Sequence, residues 1–166
     1  MNKAIFFDRD GVLNREIGDY VTRIEDFELL PDAVECIRLA RDNGFMVFVI
    51  TNQGGIDKQL YSIDNLHSFH TVLLEACSLQ GLTIDEIFFC SHHPVAGNCI
   101  CRKPDSVMLE KAIAKYNIDV KQSLMIGDTQ RDMDAAAKVN LKGLLVQPNS
   151  NKISLLRKEI QAIQYN

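Results

Sequence analysis

Hydrophobic residues in this chain alternate between short continuous runs and longer segments with helical spacing. Each run has the length of a strand, and continuous apolar runs are typical of strands that are covered on both faces in a parallel sheet. The runs lie at 4–7, 45–50, 86–90, 123–126 and 143–146. This pattern predicts a parallel sheet whose strands are connected by helices.

Between the runs, apolar residues recur at a spacing of three or four, which predicts amphipathic helices. The predicted helices span 31–43, 62–80, 105–116, 131–139 and 152–163. Pro31 suits a first helical turn, Ser62 suits an N-terminal cap, and Gly44 and Gly81 suit the ends of two helices. The helix boundaries are therefore marked in the sequence.

Alternating strands and helices predict an α/β protein, a three-layer α/β/α sandwich with a mainly parallel, Rossmann-like sheet. The 166 residues suit one domain, covering 1–166. The apolar runs are too short to cross a membrane, and the first residues lack a secretory pattern, so we expect a cytoplasmic protein. The net charge of −4, without a basic stripe, argues against nucleic acid as a partner. We expect a monomer that acts on a small anionic substrate.

Acidic residues follow two of the predicted strands. Asp8 and Asp10 follow the first run, and Asp128 and Asp132 follow the fourth. Ligands of open α/β sheets bind outside the carboxyl ends of the strands, so these acids should meet at one edge. Neighbouring carboxylates repel each other unless a cation lies between them, and oxygen ligands suit a hard cation. The sequence therefore predicts a Mg²⁺ site.

The second predicted strand ends in "TNQGG", where a hydroxyl, two amides and glycine N–H groups can surround an anion. Lys103 precedes a helix and can add a fixed positive charge at the same edge. A metal, a lysine and two aspartates suit phosphoryl transfer, in which one aspartate attacks and the other moves a proton.

The order of these motifs, "DRDG", Thr51, Lys103 and "GDTQRD", resembles the signature of the haloacid dehalogenase-like phosphohydrolases over nearly the whole chain. The resemblance implies that Asp8 is the nucleophile that forms an aspartyl-phosphate and that Asp10 is the general acid and base. Thr51 would donate a hydrogen bond to the phosphoryl group, and Lys103 would stabilise its charge.

The same resemblance implies the composition of the Mg²⁺ site. Asp8, the carbonyl of Asp10 and Asp128 would bind the ion, and Asp132 would support the site from behind these ligands.

Residues 90–101 predict a second metal site. Cys90, His92, Cys99 and Cys101 offer three thiolates and one imidazole, which is the donor set of a closed structural Zn²⁺ site. In an extended segment Cys90 and His92 share one side, so we favour His92 over His93, which is the substitute ligand. The alternatives are a chance cluster of free cysteines and a disulfide. Bound zinc would stiffen the loop and fix the two cations that follow it.

This loop ends in "CRKP", and with "TNQGGI" and "GDYV" it resembles the D-glycero-D-manno-heptose 1,7-bisphosphate 7-phosphatases, and nearly as closely the histidinol-phosphate phosphatases. Both groups lack a large cap domain, and the connections after the first two strands here are too short for one. The resemblance implies that substrate contacts come from Asn14, Gly18, Asp19, Tyr20, Val21, Thr51, Asn52, Gln53, Gly54, Arg102, Lys103 and Thr129.

Two of these positions bear on the substrate. The guanidinium of Arg102 suits the distal phosphate of a bisphosphate. Thr129 lies where the heptose enzymes often carry a basic residue, and the span from His93 to Cys99 is shorter than in many relatives.

The leading functional hypothesis is a Mg²⁺-dependent phosphatase acting on heptose 1,7-bisphosphate in the synthesis of heptose nucleotides and lipopolysaccharide-core precursors. The alternative within the same chemistry is a histidinol-phosphate phosphatase, whose cationic substrate should prefer acidic residues to Arg102. A non-catalytic, zinc-stabilised binding module is a hypothesis of a different class. A nucleic-acid 3′-phosphatase is disfavoured because a basic surface is missing.

Overall fold

The computed structural model describes residues 1–97 and 99–165 of the chain. Strands and helices alternate from one end of the described chain to the other. In chain order the elements are β1 (Ala4–Phe7), α1 (Ala33–Asp42), β2 (Met46–Asn52), α2 (Ile63–Ser78), β3 (Glu86–Cys90), α3 (Val107–Tyr116), β4 (Leu124–Gly127), α4 (Gln130–Lys138), β5 (Lys142–Leu145) and α5 (Ile153–Gln164). Short 3₁₀ turns lie between some of them.

The strands form a five-stranded sheet in the order β3-β2-β1-β4-β5, and each neighbouring pair is parallel. The predicted parallel, Rossmann-like sheet is therefore confirmed. From β1 the chain moves outward through β2 to β3 and then crosses back to place β4 on the other side of β1. The crevice that this reversal opens, beyond the carboxyl ends of β1 and β4, is where sheets of this kind bind ligands.

Side chains of the central strand divide the core into two layers, because successive side chains point to opposite faces. Ile5 and Phe7 pack in the layer that contains α1 and α5, together with the second half of α2. Ala4 and Phe6 pack in the other layer, with α3 and α4. The predicted three-layer sandwich is confirmed.

Strand burial departs from the sequence prediction at one edge. β1 and β4 are fully buried, as continuous apolar runs predict, whereas β5 is mostly exposed. β5 also begins one residue earlier than predicted, at Lys142. It is an edge strand, so its apolar residues are covered less completely than those of the central strands.

Helix ends agree with the predictions to within two residues. The hydroxyl of Ser62 accepts a hydrogen bond from the N–H of Asn65, which caps α2 as predicted. Gly44 and Gly81 have positive φ angles just after α1 and α2. α1 begins at Ala33 rather than Pro31, because the N–H of Cys36 bonds to the carbonyl of Asp32 and makes Asp32 the cap position.

The long connection from β1 to α1 folds back over α2 and forms a third, small apolar cluster. Its buried members are Val21, Phe27, Tyr61, Leu66 and Phe69. Within residues 1–97 and 99–165, the connections after β1 and β2 contain at most short helical turns, so the expected lack of a large cap domain is confirmed. No helix of the described chain is both long enough and apolar enough to span a membrane. That residues 1–166 form one domain stays a prediction.

Candidate active site and a second metal cluster

Three carboxylates meet beyond the carboxyl ends of β1 and β4. Asp8 follows β1 directly, Asp128 follows β4, and Asp132 lies in the first turn of α4. Each of the three offers an oxygen within 4.8 Å of the others. We call Asp8, Asp128 and Asp132 the acidic cluster. The structure thus brings together acids that the sequence delivers from two separate strands.

Asp8 has one committed and one free carboxylate oxygen. Its Oδ1 accepts the N–H of Arg9 at 2.7 Å and lies 2.8 Å from the ammonium of Lys103. Its Oδ2 has no hydrogen-bond partner among the described residues, so it is available for attack or for a metal. Burial raises the pKa of Asp8 to about 7 against the opposing charge of Lys103, and the negative charge of Asp132 adds a smaller contribution in the same direction as burial.

Lys103 is buried, with 2% of its side chain exposed, and its charge is fully partnered. Nζ donates to the carbonyl of Ile50 at 2.7 Å and pairs with Asp8 at 2.8 Å and Asp132 at 2.5 Å. Burial alone would lower the pKa of Lys103, but the two carboxylates raise it above its usual range. The lysine is therefore a permanent cation at the base of the site.

The backbone of Lys103 is tied to the end of β2. The side-chain amide of Asn52 donates to the Lys103 carbonyl and accepts the Lys103 N–H, each at 3.0 Å. This pair of hydrogen bonds fixes the loop that carries Lys103 to the sheet. Asn52, which the family resemblance assigned to substrate, has both of its side-chain atoms engaged here.

Asp132 is the most deeply buried member of the acidic cluster. It is fully buried, and its Oδ2 accepts the N–H of Thr129 at 3.0 Å and the Thr129 hydroxyl at 2.7 Å. A Cβ on Gly127 would lie 2.3 Å from the Cβ of Asp132, so only glycine fits there. Thr129 donates its hydroxyl hydrogen to Asp132, and its side chain carries no charge that could bind a substrate phosphate.

Asp10 is held by three neighbours. The Arg9 guanidinium contacts both carboxylate oxygens, at 2.9 Å and 3.1 Å, and amide groups of Asn14 and Gln53 donate at 2.9 Å and 2.7 Å. Burial alone would raise the pKa of Asp10, but the Arg9 charge and these hydrogen bonds lower it. Asp10 is therefore ionised at neutral pH.

Asn14 lies beneath the cleft rather than in its wall. Its side chain is fully buried, and its amide nitrogen is bonded to Asp10 and to the Arg15 carbonyl. That Asn14 touches substrate stays a prediction; in this structure its amide nitrogen is engaged by Asp10 and Arg15. Its effect on the site is to orient Asp10.

Gln53 connects Asp10 to two hydroxyl groups. Tyr61 donates to the Gln53 carbonyl oxygen at 2.6 Å, which turns the Gln53 amide nitrogen towards Asp10 and towards Thr51 Oγ1, 2.9 Å away. The predicted anion cradle is only partly free, since the Gln53 N–H donates to the Cys90 carbonyl at 2.7 Å. Gly54 packs against the loop after β3, where an added Cβ would lie 3.1 Å from the guanidinium of Arg102.

A cleft of about 300 Å³ opens above these groups. Sequence-predicted residues in its wall are Asp8, Asp10, Gly18, Asp19, Tyr20, Val21, Asn52, Gln53, Arg102, Lys103, Asp128, Thr129 and Asp132. Asn14, Thr51 and Gly54 are not part of the wall. Lining residues that the sequence analysis missed are Arg9, Arg15, Glu16, Tyr61 and Arg131. The cleft is rich in charge of both signs.

Arg9 is the most consequential of the missed residues. It is 2% exposed, and its guanidinium lies 5.4 Å from the centre of the Phe27 ring and 6.0 Å from that of Phe69. From the sequence alone, an arginine between two aspartates would be expected to lie at the surface in contact with solvent. The aromatic rings that enclose Arg9 come from distant segments of the chain, so no local sequence pattern predicts that it is buried.

The acidic cluster has the donors that a hard divalent cation requires. The Asp10 carbonyl accepts no hydrogen bond within the described chain, and burial together with Asp132 raises the pKa of Asp128 to about 6. A Cβ on Gly11 would lie 2.1 Å from Asp128 Oδ2, and Gly11 has a φ of 77°. Crowded carboxylates with raised pKa values are stabilised by a bound cation.

The second group comprises Cys90, His92, Cys99 and Cys101, which we call the Cys/His cluster. The sulfur–sulfur distances are 2.9, 3.2 and 3.6 Å, and His92 Nδ1 lies 3.0–3.6 Å from the sulfurs. Sulfurs of a tetrahedral zinc site lie roughly 3.7 Å apart for Zn–S bonds of about 2.3 Å. All four donors face one point, so the arrangement suits a metal better than one disulfide.

The two neighbouring histidines differ as the sequence predicts. His92 joins the Cys/His cluster, whereas the Nδ1 of His93 accepts the N–H of Val95 at 3.3 Å, and the His93 N–H donates to Asp57. Arg102 follows Cys101 directly, and its Nη1 donates to the His92 carbonyl at 3.0 Å. The Cys/His cluster and two cations of the cleft, Arg102 and Lys103, therefore belong to one continuous loop.

Comparison with known proteins gives a consistent set of relatives. A family model described as HAD-hydrolase-like matches residues 100–165. The chain is 39% identical over 149 residues to the D-glycero-beta-D-manno-heptose-1,7-bisphosphate 7-phosphatase of Helicobacter pylori, covering 88% of this chain and 85% of that protein. It is 36% identical over 154 residues to the D-glycero-D-manno-heptose-1,7-bisphosphate 7-phosphatase of Thermosynechococcus vestitus, covering 87% and 78%.

A solved structure extends the likeness to three dimensions. The D,D-heptose 1,7-bisphosphate phosphatase from B. bronchiseptica, crystallised with magnesium and phosphate, superimposes with a TM-score of 0.86. The two chains are 28% identical, and the alignment covers 99% of each.

Proposed function

Because the chain belongs to the haloacid dehalogenase-like phosphatases, in the family of the D-glycero-D-manno-heptose-1,7-bisphosphate 7-phosphatases, we propose that it removes the 7-phosphate of heptose 1,7-bisphosphate. The reaction is the hydrolysis of a phosphoric monoester. Its place would be the cytoplasmic synthesis of heptose nucleotides and lipopolysaccharide-core precursors.

One observation carries the proposal: a carboxylate with a free oxygen faces the cleft beside a buried, permanently charged lysine. Oδ2 of Asp8 is unpartnered, while its other oxygen is held by Lys103 and by a backbone N–H. The carboxylate cannot rotate without losing both contacts, so the free oxygen keeps its direction. Such positioning is a large part of what phosphoryl transfer requires of a protein.

The chemistry follows from the two aspartates of "DRDG". Asp8 Oδ2 attacks phosphorus, the bond from phosphorus to the sugar oxygen breaks, and that oxygen takes a proton from Asp10. Water then attacks the phosphorus of the aspartyl-phosphate, gives its proton to Asp10, and frees Asp8 and inorganic phosphate.

Asp10 must be protonated before it can act as the acid. In the free enzyme its pKa is lowered, first of all by Arg9 against the effect of burial. A phosphate dianion that enters beside it raises the pKa again, since a like charge disfavours ionisation. Arg9 therefore balances the negative charge of Asp10 while no substrate is bound.

Mg²⁺ suits the acidic cluster, with Asp8, the Asp10 carbonyl and Asp128 as the residues that would hold it. When bound, it would neutralise the negative charge of the phosphate oxygens. Lys103 supplies a second, fixed charge for the same purpose, and Asp132 keeps Lys103 in place.

Zn²⁺ suits the Cys/His cluster, which offers three sulfurs and one imidazole nitrogen and leaves no position open for substrate. We assign it a structural role. It would hold Arg102 at the rim of the cleft through the contact between Arg102 and the His92 carbonyl.

Histidinol phosphate is the alternative substrate, and Glu16 and Asp19 in the cleft wall favour it because its amine is cationic. Purified protein with Mg²⁺ should be assayed on heptose 1,7-bisphosphate and on histidinol phosphate, with Asp8→Asn as the inactive control. We expect the higher kcat/KM on the bisphosphate. A preference for histidinol phosphate would reject our assignment of substrate, and activity on neither would reject the phosphatase.

A further inference from the structure

Arg131 lies in the first turn of α4, between Gln130 and the buried Asp132, and it lines the cleft. Ala135, one turn further along the helix on the same face, is buried against the sheet. Arg131 therefore extends from the sheet-facing side of α4 at the level where the strands end. Its side chain is exposed to solvent.

The position is electrostatically unfavourable for a cation. The N-terminal end of a helix carries partial positive charge, which disfavours a guanidinium in the first turn. The acidic neighbours on α4 are engaged elsewhere: Asp132 pairs with Lys103, and Asp134 accepts the side chain of Gln130 at 2.9 Å. Within residues 1–97 and 99–165, no carboxylate pairs with Arg131. A bound anion would offset the unfavourable charge at the helix end and would give Arg131 the partner that it lacks.

The other cations of the cleft already have hydrogen-bond or ion-pair partners within the protein. Arg9 is bound to Asp10, Lys103 is buried, and Arg15 makes two contacts with Glu28. Arg102 gives one nitrogen to the His92 carbonyl and keeps the rest of its guanidinium. Arg131 is the cation of the described cleft wall for which the structure shows no acceptor at all.

Arg102 and Arg131 also share a smaller cavity that adjoins the cleft. The remainder of its wall consists of Pro94, Gly97, Cys99, Lys103, Pro104 and Asp105. The two guanidinium groups therefore border the same space from opposite elements, the loop after β3 and the first turn of α4. Asp8, Asp128 and Asp132 of the acidic cluster are not among the residues that line this space.

We propose that Arg131, with Arg102, binds the phosphate of a sugar bisphosphate that is not hydrolysed, so that Arg131 is a specificity-determining residue. The proposal rests on the proposed function. A guanidinium offers paired N–H donors that match two phosphate oxygens. Thr129, closer to the acidic cluster, cannot serve instead because its hydroxyl is bonded to Asp132.

The decisive experiment compares substrates with and without the second phosphate. In Arg131→Gln, kcat/KM for heptose 1,7-bisphosphate should fall by about 10- to 100-fold, mainly through KM, as expected for a lost charged hydrogen bond. For heptose 7-phosphate the change should stay within about twofold. Arg131→Lys should recover part of the loss, because it keeps the charge without the fork of donors.

Arg157→Gln is the matched control, since Arg157 is exposed on α5 and that helix covers the opposite layer. It should leave the ratio of the two kcat/KM values unchanged. Equal losses on both substrates in Arg131→Gln, or no loss on either, would overturn the assignment of Arg131.

A second measurement keeps this inference separate from the proposed function. Fructose 1,6-bisphosphate and fructose 6-phosphate can be used as competitive inhibitors of p-nitrophenyl phosphate hydrolysis. Wild type should bind the bisphosphate more tightly, and Arg131→Gln should remove that advantage. This result would support the subsite even if heptose bisphosphate proved not to be the substrate, and an unchanged advantage would reject it.

Discussion

The two clusters with metal-ligand chemistry are held in place by different means. The acidic cluster lies at the ends of buried central strands, and its members are fixed by Lys103, by Thr129 and by glycines that leave no room for a side chain. The Cys/His cluster lies on a loop, and Cys90 is its one buried ligand. Its other members are held mainly by their approach to one another.

This difference predicts different consequences of losing the ion. The acidic cluster should keep its arrangement, since the fold supplies the countercharge of Lys103. The Cys/His loop should lose its order, because little apolar burial stabilises it. A reactive site is thus built on the rigid part of the molecule, and a metal stabilises the part that is not rigid.

The largest effect should come from Asp8→Asn. The amide cannot form the aspartyl-phosphate, so we expect kcat to fall by at least about 1,000-fold. Folding should survive, because Lys103 keeps its ion pair with Asp132 and its bond to the Ile50 carbonyl. Steady-state kinetics and thermal unfolding measure the two quantities. Residual kcat near wild type would contradict the assignment of the nucleophile.

Lys103→Met should lower both activity and stability. It leaves Asp8 and Asp132 without their countercharge, and we expect the free energy of unfolding in urea to fall by about 3–5 kcal/mol. Adding Asp132→Asn should restore part of that free energy while activity stays lost.

Lys152 provides the matched control for this prediction, because it is equally buried and pairs with Asp32 at 2.8 Å, away from the cleft. Lys152→Met should destabilise the protein to a similar extent and leave the kcat of the folded fraction unchanged. If Lys152→Met lowered kcat as Lys103→Met does, stability alone would explain the loss.

Gly11→Ala tests how closely the backbone is fitted to the acidic cluster. The new methyl group would lie 2.1 Å from Asp128 Oδ2, so Asp128 must move. A displacement on the order of 1 Å can reduce kcat by about 100-fold. Gly81→Ala introduces a similar strain at a φ of 69° with no atom within 4 Å, so it should lower stability and spare kcat. Equal kcat values in the two variants would refute the fit.

The smallest effect should come from the Cys/His cluster. His92→Ala should lose the bound zinc, measured by elemental analysis, and lower the melting temperature by at least about 5 °C. KM should rise modestly, because the loop that holds Arg102 at the rim of the cleft would be less ordered. His93→Ala should keep zinc and melting temperature near wild type, since His93 lies outside the cluster. Zinc retained in His92→Ala would show that another donor completes the site.

The sequence was sufficient for the sheet, for the edge where the acids meet and for the grouping of His92, rather than His93, with the three cysteines. Each of these follows from periodicity or from the alternation of side chains along an extended segment. The exposure of β5 was not predictable in the same way, because apolar runs do not reveal which strand lies at an edge.

Contacts between distant segments were also beyond the sequence. Asn14 and Thr129 carry polar groups that could reach a substrate, and their engagement with Asp10 and Asp132 becomes visible only in the folded chain. The same applies to Tyr61, which orients Gln53. A motif tells which residue types gather at a site, whereas the partner of each donor depends on packing.

Cys101, Arg102 and Lys103 are consecutive, so a metal ligand, a rim cation and the buried ammonium are separated by one peptide unit each. An insertion of a single residue here would turn the arginine or the lysine away from its partners. The span between His93 and Cys99 has no such constraint, since it carries neither a ligand nor a cation. Related chains should therefore differ in length before Cys99 and keep the same length from Cys101 to Lys103.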